Sequence, residues 1–391
     1  VSLLDAAVGG PMDGLVGAIV PQAGVPGLAP EWPISASGLE KFLTCPHMFL
    51  LGHVLGFEEP AAAPPRREIG QPYYGSLVHL VMQTFYREHA AEFCQQTGRL
   101  QDWRGAADVV VERVFGEFLE QYPLVGGAVQ GQQRERVRED FWALLDHEWR
   151  NGAGRRFFDV ERSFGQPAPV ALLFGAHTLH LRGRIDRIDV EEQHTLVRDL
   201  KTGRAHLRHG KEAGPDPVLD IQIAVYGLVT RQLARHWGVP ARVGAAYVYV
   251  NRGVEERDWL RDFQTTLEPQ AREWLDVAAG LLDARAFPRT SREEDCAFCA
   301  FAPVCGDAVY ERAATILATG AGPLPRLAAL KGAVADGAPR GPDHASHLPV
   351  REGREVVVVH EALLLLVAEA GEALPLTRGA QGEDAEDLRL A

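Results

Sequence analysis

Near residue 155 the apolar residues of this chain change their period, and that switch constrains the fold more than any other feature. Upstream, Leu77, Leu80, Val81 and Phe85 recur at helical spacing within 74–91, and two further helical patterns cover 106–121 and 133–150. Downstream, 158–164, 178–190, 195–201 and 243–250 alternate or run apolar, with the β-branched and aromatic residues of strands. A helical stretch at 219–236 separates the third and fourth of these strands, and 267–286 returns to helix. The order predicts an α/β chain, a mixed sheet flanked by helices behind a helical leader.

Residues 1–33 are rich in Gly and Pro, which predicts an approach linker. Ser37-Gly38-Leu39-Glu40 has the capping-box pattern and is expected to open the first helix. The chain then divides into a linker (1–33), a helical leader (34–155), a sheet core (156–306) and a C-terminal extension of unknown role (307–391). Its 391 residues suffice for two or three domains. The uncharged stretch 14–30 contains four Gly and three Pro, so it reads as coil rather than a membrane span. With no basic n-region of a signal peptide, a cytoplasmic protein with no membrane partner is expected. The first residue is Val1, which fits either removal of Met or a segment of a longer polypeptide.

Lys and Arg total 40 against 53 Asp and Glu, a net charge of −13. The molecule as a whole repels a polyanion, so any nucleic-acid role needs a local basic groove or a partner. Such a groove is expected at 198–211, where Arg198, Lys201, Arg204, Arg208 and Lys211 face the single acid Asp199.

The chemistry concentrates on the sheet. In Asp199-Leu200-Lys201 side-chain alternation puts the acid and the amine on one face of a strand. Gly183-Arg184-Ile185-Asp186 brings a second carboxylate on the preceding strand, and a hairpin through Glu191–His194 lays the two strands antiparallel. Converging carboxylates suit a hard cation such as Mg²⁺ (or Mn²⁺), with Lys201 placed to orient or help deprotonate a water. Gln222 and Tyr226 share one helix face, His79 adds an imidazole and Glu161 a third carboxylate. Cys45 and the C-x2-C-x5-C run of Cys296, Cys299 and Cys305 can form a four-thiolate site. Spacing alone leaves zinc and an iron–sulfur cluster open.

Taken together, the motifs Gly75–His79, Glu161, Gly183–Asp186, Asp199-Leu200-Lys201 and Gln222–Tyr226 resemble those of the RecB-like branch of the PD-(D/E)XK nuclease superfamily. The resemblance covers about Ser35 to Cys305 and implies a restriction-endonuclease-like fold. It also implies His79, Asp186 and Asp199 as ligands of the catalytic metal, Lys201 as catalytic, and Glu161, Gln222 and Tyr226 as active-site residues. Thr44-Cys45-Pro46 with the late Cys triplet is similar to the iron–sulfur staple of AddB-type helicase–nuclease subunits, which implies a 4Fe–4S cluster. In such assemblies the nuclease is often the C-terminal module of a helicase-like chain. No G-x4-G-K-[ST] occurs here, so a helicase partner or fused domain would supply the ATP motor.

The expected function is therefore a metal-dependent nuclease of single-stranded DNA or resected DNA ends within an AddAB/RecBCD-like double-strand-break repair complex. Arg204, Arg208 and Lys211 are expected to hold DNA. Two rivals are a stand-alone CRISPR-adaptation-type 5′–3′ exonuclease and a catalytically silent scaffold that binds DNA ends.

Overall fold

The computed structural model describes residues 9–57, 67–203, 215–216, 218, 220–251, 253–260, 262–297, 299–306 and 309–335. Ser35, not Ser37, caps the first helix, α1 (Ala36–Thr44): its Oγ accepts from Gly38 N at 3.0 Å. Extended backbone at Ser35 sets that hydroxyl over the helix's free N–H groups, whereas Ser37 already lies in the first turn. α2 (Pro46–Phe49) begins with proline, whose missing N–H has no helical partner to lose. The leader then supplies α3 (Gln71–Phe93), α4 (Arg104–Gln121) and α5 (Gly127–Asn151), packed around Phe85, Phe115 and Phe141.

β1 (Arg155–Phe164), β4 (Gly183–Glu191), β5 (His194–Lys201), β6 (Arg242–Val250) and β7 (Val254–Leu260) form one sheet in the order β1-β4-β5-β6-β7. Neighbours are antiparallel except β5 and β6, which run parallel through the crossover helix α6 (Ile221–Trp237). The single strand expected over 178–190 is two. Arg182 breaks it by donating its N–H to Ile34 O, so β3 (His177–Leu181) pairs with β2 (Val170–Phe174) in a separate hairpin. β2 and β7 escape the sequence pattern because one is short and the other carries Glu255, Glu256, Arg257 and Asp258.

The sheet is sandwiched between two helical layers. α1, α6 and α8 (Glu268–Asp283), which follows the short α7 (Phe263–Thr266), cover one face over Val197 and Tyr247. α3–α5 cover the other over Leu200 and Val248. Beyond them lie α9 (Ala302–Cys305), α10 (Val309–Thr319) and α11 (Leu324–Ala335). No helix of the described residues is long and apolar enough to cross a membrane.

Within the stretch expected to be an approach linker, residues 9–33 pack closely. Val16, Val20 and Val25 are buried in the first core, and Phe287 N donates to Gly14 O at 2.8 Å. The glycine there serves close approach: Gly14 has φ +86°, and a Cβ would stand 1.8 Å from Phe287 O. Asp13 is fully enclosed and receives Arg312 Nε and Nη2 at 2.6 and 2.8 Å.

On the α5 side of the sheet, ionic groups replace part of the apolar core. Arg198 is 2 % exposed and meets Glu148 at 2.8 Å, Asp189 at 3.3 Å and Glu256 at 3.2 Å. Arg187 joins Glu148 and Asp189 at 3.0 Å each, and Arg155 reaches Glu256 at 3.1 Å. Asp189 is thus an ion-pair residue of this network. Arg198 does not belong to a DNA-facing patch, because strand alternation turns it inward, away from Asp199 and Lys201.

Burial raises the Glu148 carboxyl, but the charges of Arg187 and Arg198 outweigh it and hold the group down to about 2. The folded value lies below the unfolded one, so this stabilisation is complete above pH ~4.5 and is lost as pH falls toward ~2. Chemical denaturation at stepped pH should show stability dropping by about 3 kcal/mol over that window from this group, with an Arg198-free variant showing a shallower slope because Arg187 still faces Glu148. A flat profile from pH 5 to 2.5 would contradict the pairing.

Candidate active site

The ladder between β4 and β5 runs from Glu191↔His194 to Arg187↔Arg198 and goes no further. One residue past its end, the strands part and their carboxylates take over. Asp186 Oδ2 accepts the Leu200 N–H at 2.7 Å, a donor that a continuing ladder would have used for backbone. The opening is therefore held by the side chain that is a candidate ligand.

His79 of α3 leans into this opening from the second helical layer. Its Nε2 is 3.1 Å from Leu200 O, and its Nδ1 is 3.4 Å from Glu161 Oε1 and 3.8 Å from Asp186 Oδ2. These three residues bring ligand atoms within 4.8 Å of one another. Glu161 reaches the group from β1 through an unusual backbone, φ +52°, a conformation that costs a side-chain-bearing residue on the order of 1–3 kcal/mol. Its other oxygen is 3.0 Å from Arg184 Nε.

Asp199 and Lys201 emerge together on β5, as strand alternation requires. Lys201 Nζ lies 2.7 Å from Asp199 Oδ2 and donates to Gln222 Oε1 at 2.8 Å. Gln222 Nε2 in turn donates to the Tyr226 hydroxyl at 2.9 Å. Asp199 is fully buried, yet among the described residues neither of its oxygens has an aligned hydrogen bond. A buried carboxylate in that state is costly. Lys201 offsets part of that cost at Oδ2, and Oδ1 keeps the capacity to accept a further ligand.

Electrostatics point the same way. Burial, reinforced by the neighbouring Asp199 and Glu161, pushes the Asp186 carboxyl up to about 7. Burial opposes charge on His79, but Asp186 and Glu161 overcome it and raise the imidazole to about 9. Burial also lifts the Tyr226 phenol well above its ordinary value. Crowded carboxylates with an imidazole and an unsatisfied buried oxygen form a donor set that fits a hard divalent cation. In a second acidic group, His147, Glu148 and Glu256, both Glu148 oxygens and Glu256 Oε2 are already committed to arginines, and three arginines surround it.

The sequence-predicted residues His79, Glu161, Asp186, Asp199, Lys201, Gln222 and Tyr226 are thus brought to one place. Arg204, Arg208 and Lys211 lie outside the described residues. Arg184 was not foreseen as part of the site. Its position two residues before Asp186, on the same side of β4, was the signal for it.

The family model of the PD-(D/E)XK nuclease superfamily matches residues 33–306, well over half of the chain. The chain belongs to this superfamily. Among curated relatives of this PD-(D/E)XK protein are B subunits of ATP-dependent helicase/deoxyribonucleases. That of Pelotomaculum thermopropionicum is 28% identical over 192 residues, 44% of this chain and 16% of the relative. That of Acetivibrio thermocellus is 27% identical over 186 residues, 43% and 15% respectively. That of Moorella thermoacetica is 27% identical over 206 residues, 50% and 16%. The matched stretch spans 16% or less of the length of these relatives.

A second constellation lies apart from the sheet opening. Cys45, Cys296, Cys299 and Cys305 line one cavity with Met48 and Phe301, and none is in a disulfide. Burial, with the neighbouring Cys45, Cys305 and Cys296 sulfurs, pushes the Cys299 thiol up to about 12. The fifth cysteine, Cys94, packs at the edge of the second core, where burial raises its thiol to about 11.

Proposed function

We propose that this chain is a divalent-cation-dependent deoxyribonuclease module that hydrolyses single-stranded DNA or resected ends. Its proposed setting is the cytoplasm, within an AddAB/RecBCD-like repair assembly beside a helicase subunit or fused helicase domain. One observation carries the reading: at the parted β4–β5 ladder, His79, Glu161 and Asp186 converge beside the unsatisfied Asp199 and the amine of Lys201.

In this reading His79, Asp186 and Asp199 hold the cation, and Glu161 supports it from β1. When bound, Mg²⁺ or Mn²⁺ supplies Lewis acidity to the scissile phosphate and to the attacking water. Lys201 positions that water: Asp199 and Gln222 fix its amine from two sides, so its third proton can aim at the incoming oxygen. Tyr226 fixes Gln222 in turn and closes the wall behind the substrate. Arg204, Arg208 and Lys211, following β5, would neutralise DNA phosphates. The catalytic unit is residues 156–306, to which the leader 34–155 contributes His79 and Cys45.

The cysteine quartet is proposed to hold a 4Fe–4S cluster that ties the leader to the end of the core. An all-sulfur donor set in an apolar cavity supports it.

The test is protein purified without oxygen, assayed for iron, zinc and visible absorbance, then given a single-stranded oligonucleotide with Mg²⁺, Mn²⁺ or EDTA. Expected are a brown protein, about four irons per chain, and cleavage that requires the cation. Absence of cleavage with either cation would overturn the nuclease reading, and one zinc per chain in place of iron would overturn the cluster.

A further inference from the structure

The outer wall of the cysteine cavity comes from residues beyond the matched family stretch. Val309 of α10 lines it, and the adjacent Tyr310 hydroxyl hydrogen-bonds the Cys296 sulfur. One helix further on, Lys331 of α11 is 3 % exposed. A buried ammonium is tolerated only when its protons are satisfied. Here Asp295 Oδ2 and Thr44 O accept at 2.6 Å each, and Thr290 Oγ1 lies at 3.2 Å.

The positions of those acceptors are informative. Thr44 directly precedes Cys45, and Asp295 directly precedes Cys296. Lys331 therefore joins the same two segments, from opposite ends of the matched stretch, that the four cysteines join. Thr290 lines the cavity itself and donates to Asp295 Oδ2 at 2.6 Å, so the brace is shared rather than a single contact. Because Asp295 neutralises the ammonium, its contribution is one of geometry more than of countercharge.

We infer that Lys331 is a positioning residue for the cysteine site: it holds the Cys45 segment against the Cys296 segment before any metal binds, while Tyr310 secures the Cys296 sulfur from outside. The inference rests on the reading of the four cysteines as a metal or cluster site. A brace of this kind raises retention of the bound group, because the thiolates cannot drift apart when a bond opens. Residues next to metal ligands typically change affinity 10–100-fold when altered.

The experiment measures the rate at which a chelator strips iron from anaerobically purified full-length protein, at a temperature where each variant is folded by circular dichroism. Lys331→Met and Tyr310→Phe are compared with wild type and with Arg326→Ala. Arg326 anchors the same helix to Asp276 at 2.7 Å and touches none of the cysteine segments. Expected is release about 10–100-fold faster from Lys331→Met, a smaller increase from Tyr310→Phe, substantial recovery in Lys331→Arg, and a near wild-type rate for Arg326→Ala. If Lys331→Met keeps iron like wild type, or loses it no faster than Arg326→Ala, the lysine merely anchors α11 and the inference fails. If Lys331→Met does not fold, Asp295→Asn removes the same brace from the other side and is judged by the same rates. Wild-type protein that binds neither iron nor zinc would overturn the cysteine-site reading itself, and this inference with it.

Discussion

Asp199→Ala should lower DNA cleavage on the order of 10³-fold, the loss of several kcal/mol that removing a cation ligand implies, while the melting temperature stays level or rises. The second half of that expectation is what makes it specific. Asp199 is enclosed, and among the described residues neither oxygen has an aligned hydrogen bond, so what the fold gains from it is the ion pair with the half-buried Lys201 at 2.7 Å. Removing an unsatisfied buried carboxylate also removes its desolvation cost. Binding of a single-stranded oligonucleotide in EDTA should persist, since the proposed DNA-holding residues Arg204, Arg208 and Lys211 are unchanged. Unchanged cleavage would end the assignment of the site. Lost cleavage with a collapsed melting temperature would recast Asp199 as a structural residue.

Arg198→Ala should do the reverse, damaging the fold first. The guanidinium is 2 % exposed and serves Glu148, Asp189 and Glu256. Its removal leaves Glu148 and Asp189 to Arg187 alone and Glu256 to Arg155 and His147, so three buried acids each lose a partner, and breaking such a buried set costs roughly 3–5 kcal/mol. Urea denaturation of full-length protein would register this as a lowered midpoint at unchanged slope. A shift below about 1 kcal/mol would mean that water reaches the network and screens it.

These two neighbours show what a sequence reveals and what it hides. Asp199 and Lys201 are legible because alternation along one strand fixes their common face, and the parallel register with β6 only confirms it. Arg198, directly before Asp199, reads as part of a basic surface run, since nothing local says that its face is covered by α5. His79 is a different case. Its place beside Asp186 depends on how α3 crosses the sheet, which periodicity does not encode; only the resemblance of the whole motif set pointed to it. Glu161 was visible as a carboxylate on β1, but the left-handed backbone that aims it was not. Within 1–33, residues 9–33 misled for a clear reason. Glycine and proline mark both loose chain and chain pressed against a neighbour, and Gly14 beside Phe287 is the second kind. The cap moved from Ser37 to Ser35 because both serines precede the same apolar run, and only backbone conformation separates them.

The site also draws on both sides of the sandwich. His79 comes from the layer built on one core, Gln222 and Tyr226 from the layer built on the other, and the acids from the sheet between them. Neither layer alone gathers the full set. A copy with one layer still undocked presents scattered groups that can neither grip a cation nor orient a water. In the proposed nuclease, cutting would therefore require both layers docked on the sheet, so a partly folded copy would lack it.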